Sequence, residues 1–279
     1  MTLQNGRVSY WRSRPEIPRP VLPAVNGDLS VDVAIVGGGL TGLWTAWSLV
    51  CNDPNLKVAV FEAEDLGFGA SGRHGGWLSA KPVGMRPVLA SGVAGRTGVI
   101  AADRILARSI HEVVDVLGAD QIDAKHGGWM EVARTPSELA RLETYLAKSR
   151  AWDVPSERLR LLSAGEAHSR VAVDGVRGAL YSPDNYRVDP IKMLLRLADL
   201  ALEIGVEIYT GSRVDDVSPG QLRVNGFQVR AAREIVIATE GYSRWERGQS
   251  RQLLPMNSAM LVTEKLTKDQ WAKIGWEGG

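Results

Sequence analysis

Cysteine, histidine and long apolar runs are scarce in this 279-residue chain, and each shortage excludes a class of protein. A single cysteine, Cys51, excludes an internal disulfide framework, and no Cys-x-x-Cys pair or His/Cys cluster indicates a metal site. No apolar run approaches the ~20 residues that span a bilayer, and the first twenty residues lack the apolar core of a signal peptide. We therefore expect a cytoplasmic protein with no bound metal and no membrane partner.

The charge of the chain is almost balanced, with 33 Lys and Arg against 32 Asp and Glu. Because the basic residues form no dense block, the sequence does not indicate nucleic acid or an anionic membrane as a partner. The length predicts about two domains, at ~150 residues for each domain.

A strand, a glycine turn, a helix and a second strand follow one another between residues 31 and 62. The apolar run 33–36 leads directly into Gly37-x-Gly39-x-x-Gly42, and a helix is predicted at about 40–51. A second apolar run, 57–61, ends at Glu62. This order is the fingerprint of a dinucleotide-binding unit.

Each residue type in this fingerprint has a physical role. Gly37 permits a tight turn, Gly39 leaves room for a pyrophosphate, and Gly42 lets the helix pack close to the sheet. The helix N-terminus offers N–H groups and the positive end of its dipole to the phosphates. Glu62 can accept hydrogen bonds from a ribose diol. A glycine loop that binds nothing is the alternative, but it does not account for Glu62.

The rest of the pattern predicts a parallel α/β domain interrupted by a mixed insertion. Residues 1–30 contain four prolines and predict an extended arm, with Tyr10 and Trp11 as anchors. Asn225-Gly226 predicts a hairpin turn. Helices are predicted at about 98–118, 136–150 and 190–205, strands at about 128–133, 179–181, 206–209, 214–217 and 234–238, and a hairpin at 222–229. The run at 234–238 is nearly continuous in apolar residues, which is typical of a buried strand of a parallel sheet.

A second glycine loop, GFGASGRHGGW at 67–77, follows Glu62 by a few residues, and its backbone N–H groups can contact phosphates. At this loop the sequence resembles the flavin-dependent amine and D-amino-acid oxidase family, especially the branch that includes γ-glutamylputrescine oxidases. Further motifs in family order are Ser9-Tyr10-Trp11, Gly127-Gly128-Trp129, YSPDNYRVDPIKM from residue 181, EIVIATEGY from 234 and LPMNSAMLVTEKL from 254.

The resemblance implies FAD as the cofactor and a division of the chain into three parts. After the arm at 1–30, a discontinuous Rossmann-like FAD-binding domain would occupy 31–80 and 185–250. An incomplete, mixed α+β substrate domain would occupy 81–184 and 251–279. Family members continue well beyond this sequence, so we expect a truncated chain whose strand at 254–262 lacks neighbours and which pairs with a separate C-terminal chain if one exists.

The resemblance also assigns cofactor contacts position by position. The first glycine turn would hold the pyrophosphate, Glu62 the adenosine ribose, and the second loop the phosphates and flavin. Val214 would bond adenine through its backbone, although ordinary sheet core is the alternative for it and for Ala238. The predicted cofactor residues are Gly37, Gly39, Leu40, Thr41, Gly42, Glu62, Gly69, Ala70, Ser71, Gly72, Arg73, His74, Val214, Ala238, Thr239 and Gly241.

The sequence identifies no catalytic acid, base or nucleophile, and Arg73 and His74 are the best local candidates for a catalytic role. His74 stands where most members of this branch have Asn. In related dimethylglycine and sarcosine dehydrogenases, a histidine near this point is joined covalently to the flavin. We expect instead that FAD is bound without a covalent link and that His74 is a hydrogen-bonding loop residue.

The function implied by the resemblance is oxidation of the C–N bond of a small amine or amino acid, with hydride transfer to flavin N5. Two alternatives stay open from the sequence. One is a catalytically silent fragment or the N-terminal half of a split flavoprotein. The other is an NAD-linked dehydrogenase, which accounts for residues 37–62 but not for the second glycine loop.

Overall fold

The computed structural model describes residues 9–245, 251, 253, 254, 256 and 258–276. The chain divides into two compact units. Unit 1 joins Met1–Gly75 with Asp189–Leu261, and unit 2 joins Gly76–Val188 with Val262–Gly279. Within the described residues, no helix combines the length and the apolar character needed to cross a bilayer.

Regular elements cover most of the described residues. The strands are β1 (Leu29–Val36), β2 (Val58–Phe61), β3 (Trp77–Ser79), β4 (Lys125–His126), β5 (Trp129–Ala133), β6 (Arg160–Ser163), β7 (Gly178–Ser182), β8 (Asn185–Arg187), β9 (Glu207–Tyr209), β10 (Val214–Ser218), β11 (Gln221–Val224) and β12 (Phe227–Ile237). The α-helices are α1 (Leu40–Asn52), α2 (Met85–Ala90), α3 (Gly95–Leu117), α4 (Pro136–Arg150), α5 (Ala164–His168), α6 (Pro190–Glu203) and α7 (Lys268–Ile274). Short 3₁₀ turns lie at Trp11–Ser13, Ala70–Gly72, Ala119–Ile122 and Glu240–Trp245.

Unit 1 is built on a six-stranded sheet in the order β10-β11-β12-β1-β2-β9. Strands β12, β1, β2 and β9 are parallel, and β10, β11 and β12 form an antiparallel meander. Parallel neighbours need a crossover connection, and α1 supplies it between β1 and β2. The predicted α/β fold with a mostly parallel sheet is confirmed.

The four parallel strands end in register. Val36 at the end of β1 pairs with Phe61 on one side and Ile237 on the other, and Phe61 pairs with Tyr209. The segments that follow these strands therefore meet at one edge of the sheet, where ligands of open α/β sheets bind.

Helix α6 covers part of this unit because its sequence combines a strong start with an apolar face. Asp189 caps its N-terminus by accepting the N–H groups of Ile191 and Lys192, and Pro190 occupies the first helical position. Ile191, Leu194 and the other residues of its inner face are buried, and α6 packs on α1.

Unit 2 contains the mixed insertion. Two three-stranded antiparallel sheets, β3-β8-β4 and β5-β7-β6, lie in it together with helices α2 to α5 and α7. One apolar core packs α4 on the second sheet through Trp129, Leu142, Val154 and Leu180. Helix α4 begins with a reciprocal capping box between Thr135 and Glu138.

Three expectations about strands are wrong in detail. The hairpin predicted at 222–229 is confirmed, since β11 pairs antiparallel with the start of β12 across Asn225-Gly226, but the strand predicted at 234–238 is only the end of the long strand β12, which pairs with β1 from residue 229 onward. The end of β12 is not fully buried, and Ile237 is 40% exposed, because β11 pairs only with residues 227–230 of β12. The described residues of 254–262 form no strand, since no hydrogen-bonded neighbour strand contacts them there.

Candidate cofactor-binding site

The first glycine turn follows β1 at the edge where the parallel strands end. Gly37 has a φ of +108°, which favours glycine, and its N–H donates to the Phe61 carbonyl at 2.8 Å. A Cβ on Gly37 would stand 2.6 Å from the carbonyl oxygen of Ala238. The Ala238 N–H in turn donates to the Val36 carbonyl at 2.8 Å. Gly37 and Ala238, which are 201 positions apart in sequence, thus meet by close backbone contact.

Glu62 is held beside this turn by both of its carboxylate oxygens. Oε2 accepts the N–H of Gly38 at 2.9 Å, and Oε1 accepts the N–H of Glu64 at 3.0 Å. Each carboxylate oxygen can accept more than one hydrogen bond, so the group keeps acceptor capacity for a ligand. This geometry fits a carboxylate that binds a diol.

The second glycine loop contacts the start of helix α1. The Ser71 hydroxyl oxygen accepts the N–H of Leu40 at 3.0 Å. A Cβ on Gly39 would stand 3.0 Å from the same hydroxyl oxygen. The N–H groups of the first helical turn have no partner within the helix, and this position attracts anions. The bare backbone at Gly39 and the hydroxyl over the helix end therefore fit a pyrophosphate.

The second loop also reaches the turn after β12. A Cβ on Gly69 would stand 3.4 Å from the ring of Tyr242, which lies in the 3₁₀ turn Glu240–Trp245 with Gly241. Thr239 bonds Ser243 through its hydroxyl at 2.6 Å. Within the loop, a Cβ on Gly72 would stand 2.1 Å from the Gly67 carbonyl oxygen, so the backbone folds tightly on itself.

Val214 has a different environment from the rest of the predicted set. It begins β10, pairs with Val224 and packs, partly buried, on the apolar core of the sheet. It lies two residues beyond Ser212, whose N–H donates to the Glu62 carbonyl at 2.8 Å. Sheet packing alone accounts for Val214, and its adenine contact stays a prediction.

Arg73 and His74 are both held within the second loop. Arg73 donates from Nε to the Phe68 carbonyl at 2.5 Å, and its guanidinium lies 5.1 Å from the centre of the Phe68 ring. The His74 N–H donates to the Ala70 carbonyl at 3.2 Å. Burial lowers the pKa of the His74 imidazole, which is therefore neutral at pH 7. These contacts hold the two residues in the loop, and no reacting role follows from them.

The N-terminal arm contributes two contacts that the motifs do not indicate. Ser9 donates from its hydroxyl to the Gly72 carbonyl at 2.9 Å, and Trp11 donates from Nε1 to the His74 carbonyl at 2.9 Å. Trp11 is an anchor, as predicted, whereas Tyr10 is 44% exposed and lies edge-on against Trp11. Tyr242 is a further missed residue, and its only signal is its place in the EGY run after β12.

The described residues include no group of three or more His, Cys, Asp and Glu side chains that could hold a metal ion. The convergence of the two glycine loops, Glu62 and Ala238 on one sheet edge defines instead a dinucleotide-binding protein.

Comparison with known proteins gives the family. The family described as FAD-dependent oxidoreductase matches residues 32–278, and the chain belongs to it. The prediction of a flavin family rather than a nicotinamide one is confirmed.

The relatives show how far the likeness extends. The γ-glutamylputrescine oxidoreductase of Escherichia coli (strain K12) is 28% identical over 256 residues, which cover 88% of this chain and 58% of that protein. The crystal structure of glycine oxidase from Geobacillus kaustophilus superposes with a TM-score of 0.64 at 26% identity, covering 80% of this chain and 58% of that one. An L-amino acid deaminase structure from Proteus vulgaris has a TM-score of 0.65 at 20% identity, covers 84% of this chain and 60% of that one, and shares the fold. The chain thus spans less than two thirds of each of these relatives.

The lowered pKa of His74 predicts a pH dependence of stability. Around and below about pH 6.5, the ordinary pKa of imidazole, His74 is protonated to a greater extent in the unfolded chain than in the folded chain. Acidification from about pH 8 to about pH 5 should therefore lower the denaturation midpoint of the wild type more than that of His74→Asn. His168→Asn, which removes an exposed histidine, is the control and should follow the wild type. An equal loss in wild type and His74→Asn would contradict the prediction.

Proposed function

We propose that this chain binds FAD at the sheet edge described above and forms the cofactor-binding part of an enzyme that oxidises the C–N bond of an amine or amino acid. The observation that supports this most directly is the meeting of four separate motifs, of which Gly37 and Ala238 approach most closely. The relatives support the substrate class, because their names are those of a γ-glutamylputrescine oxidoreductase and a glycine oxidase.

Within this proposal each part of the site has a task. Glu62 accepts hydrogen bonds from the adenosine ribose, since its carboxylate is already oriented by the N–H groups of Gly38 and Glu64. The N-terminus of α1 and Ser71 bind the pyrophosphate. Residues 69–74 of the second glycine loop line the flavin side. FAD supplies the acceptor for the hydride removed from the substrate.

Arg73 and His74 set the electrostatics of that side. Arg73 carries a permanent positive charge, which its contacts to Phe68 keep inside the loop. His74 is neutral and can donate or accept a hydrogen bond without adding a second charge. The substrate, the electron acceptor and a separate C-terminal chain stay predictions, because the chain spans 58% of the length of its curated relative.

Cofactor binding is tested at Gly39. Gly39→Val would place a branched side chain against the Ser71 hydroxyl and over the helix N-terminus, and should raise the Kd for FAD at least about 100-fold. Gly27→Val is the control. A Cβ at Gly27 meets nothing within 4 Å, so the affinity of this variant for FAD should equal that of the wild type. Fluorescence titration of each folded variant with FAD and with NAD measures the two affinities. Binding of NAD without FAD would refute the proposal.

The link between FAD and the chain is tested by denaturation. We expect acid or heat to release all of the flavin, because a single histidine in a loop is more often a hydrogen-bonding residue than a covalent attachment point. A denaturing gel should therefore show no flavin fluorescence on the protein band, in the wild type and in His74→Asn alike. Fluorescence that stays with the wild-type band and is lost in His74→Asn would overturn this expectation.

The reaction class is tested by anaerobic reduction of the bound flavin. Loss of the visible flavin band on adding a primary amine or an amino acid, but not on adding the corresponding 2-hydroxy acid, is the expected result for C–N oxidation. The resemblance leads us to expect slow reduction by the chain alone and faster reduction with a C-terminal partner chain if one exists. Reduction by the hydroxy acid alone would show C–O oxidation and contradict the proposed substrate class.

A further inference from the structure

We propose that residues 9–19 of the N-terminal arm form a clasp that positions the second glycine loop for the flavin, with Trp11 as its central positioning residue. The inference concerns unit 1 alone and rests on the proposed function for its consequence, though not for its geometry.

The clasp holds the loop by two backbone carbonyls. The Ser9 hydroxyl donates to Gly72 and the Trp11 indole to His74, both at 2.9 Å, and Ser9 is only 9% exposed. A trans peptide is planar, so a carbonyl that points toward the arm directs the next N–H to the opposite side. The N–H of Arg73 accordingly donates to the Ala70 carbonyl at 3.0 Å, within the loop. By the same planarity, the N–H of Gly75 lies on the side opposite the His74 carbonyl, and the bond from Trp11 to that carbonyl thereby sets the side on which the Gly75 N–H lies.

The other end of the loop is held as well. The Arg12 guanidinium bonds Asp65 at 3.2 Å and lies 5.3 Å from the centre of the Phe68 ring. Arg19 donates to the carbonyls of Arg12 at 2.9 Å and Leu66 at 3.4 Å. These contacts bind Asp65, Leu66 and Phe68, while Ser9 and Trp11 bind Gly72 and His74, so that the arm contacts the chain at the start of the loop and again in its second half.

A third attachment reaches the helix behind the loop. Arg14 forms an ion pair with Asp189, the N-cap of α6, whose side chain is buried. Ile191, two residues after Asp189, lies against the loop. A Cβ on Gly67 would stand 2.5 Å from the Cδ1 atom of Ile191. Removing one member of a buried ion pair is strongly unfavourable, and this pair therefore fixes the arm relative to the helix that supports the loop.

An arm that only covered apolar surface would not need polar contacts to both ends of one loop. Directional hydrogen bonds to its carbonyls instead preorganise the backbone, which lowers the entropic cost of binding a cofactor there. Trp11 is the central positioning residue among the arm residues, because its indole N–H binds the carbonyl of His74, which belongs to the same peptide group as the Gly75 N–H.

The test is Trp11→Phe, which keeps an aromatic ring and removes the donor. Hydrogen exchange of the backbone amides of residues 70–76 in the full chain without FAD should become about fivefold faster, as expected for the loss of one hydrogen bond. The Kd for FAD should rise by a similar factor, and the visible circular dichroism of bound flavin should change. Trp152→Phe, the same substitution in unit 2, is the control and should change none of these.

Exchange in β1 and β2 monitors the fold of each variant. If Trp11→Phe also accelerates exchange in β1 and β2, Ser9→Ala is used instead. It removes the hydrogen bond to the Gly72 carbonyl and should accelerate amide exchange at residues 72–74. Unchanged exchange in 70–76 would overturn the clasp, and faster exchange with unaltered FAD affinity and circular dichroism would overturn its positioning role. If the wild type binds no FAD, the proposed function fails, and the exchange result alone still decides whether the clasp exists.

Discussion

The site depends on the common end point of four parallel strands. Ile237, Val36, Phe61 and Tyr209 stand side by side at the ends of β12, β1, β2 and β9. The ladder continues one residue further, since Ala238, Gly37 and Glu62 each donate to the last carbonyl of the neighbouring strand at 2.8 Å. A shift of one residue in any of these pairings would turn side chains to the opposite face and separate the glycine turn from Glu62. The register of the sheet is therefore also the geometry of the cofactor site.

Much of this arrangement is predictable, because local sequence and function coincide in it. The apolar runs that form β1 and β2 are bounded by a glycine turn and an acidic residue, and the physical reasons for both are local. The start of α6 is equally predictable from the sequence, because Asp is a preferred residue at the N-cap and Pro at the first helical position.

Contacts between distant segments are not predictable in this way. The bond from Leu40 to Ser71 and the contact of Gly69 with Tyr242 depend on how separate loops fold toward each other. The length of β12 depends on its partner β1, and the exposure of Ile237 depends on where β11 stops. The bonds of Ser9 and Trp11 to the second loop span 63 residues of sequence and leave no periodic signal. At Val214 the sequence predicts a strand but cannot predict a ligand contact. A β-branched residue is favoured at the start of a strand whether or not its backbone binds a ligand.

The Ser71 hydroxyl has a consequence for the way a ligand enters. A hydroxyl is both a donor and an acceptor, and here its oxygen accepts the Leu40 N–H. An incoming phosphate oxygen can take over that N–H while the same hydroxyl turns its own proton toward the phosphate. Under the proposed mode of binding, loading of the helix end is an exchange of hydrogen-bond partners rather than the capture of an anion by bare donors. Such an exchange leaves neither the Leu40 N–H nor the Ser71 hydroxyl without a hydrogen bond when the phosphate binds.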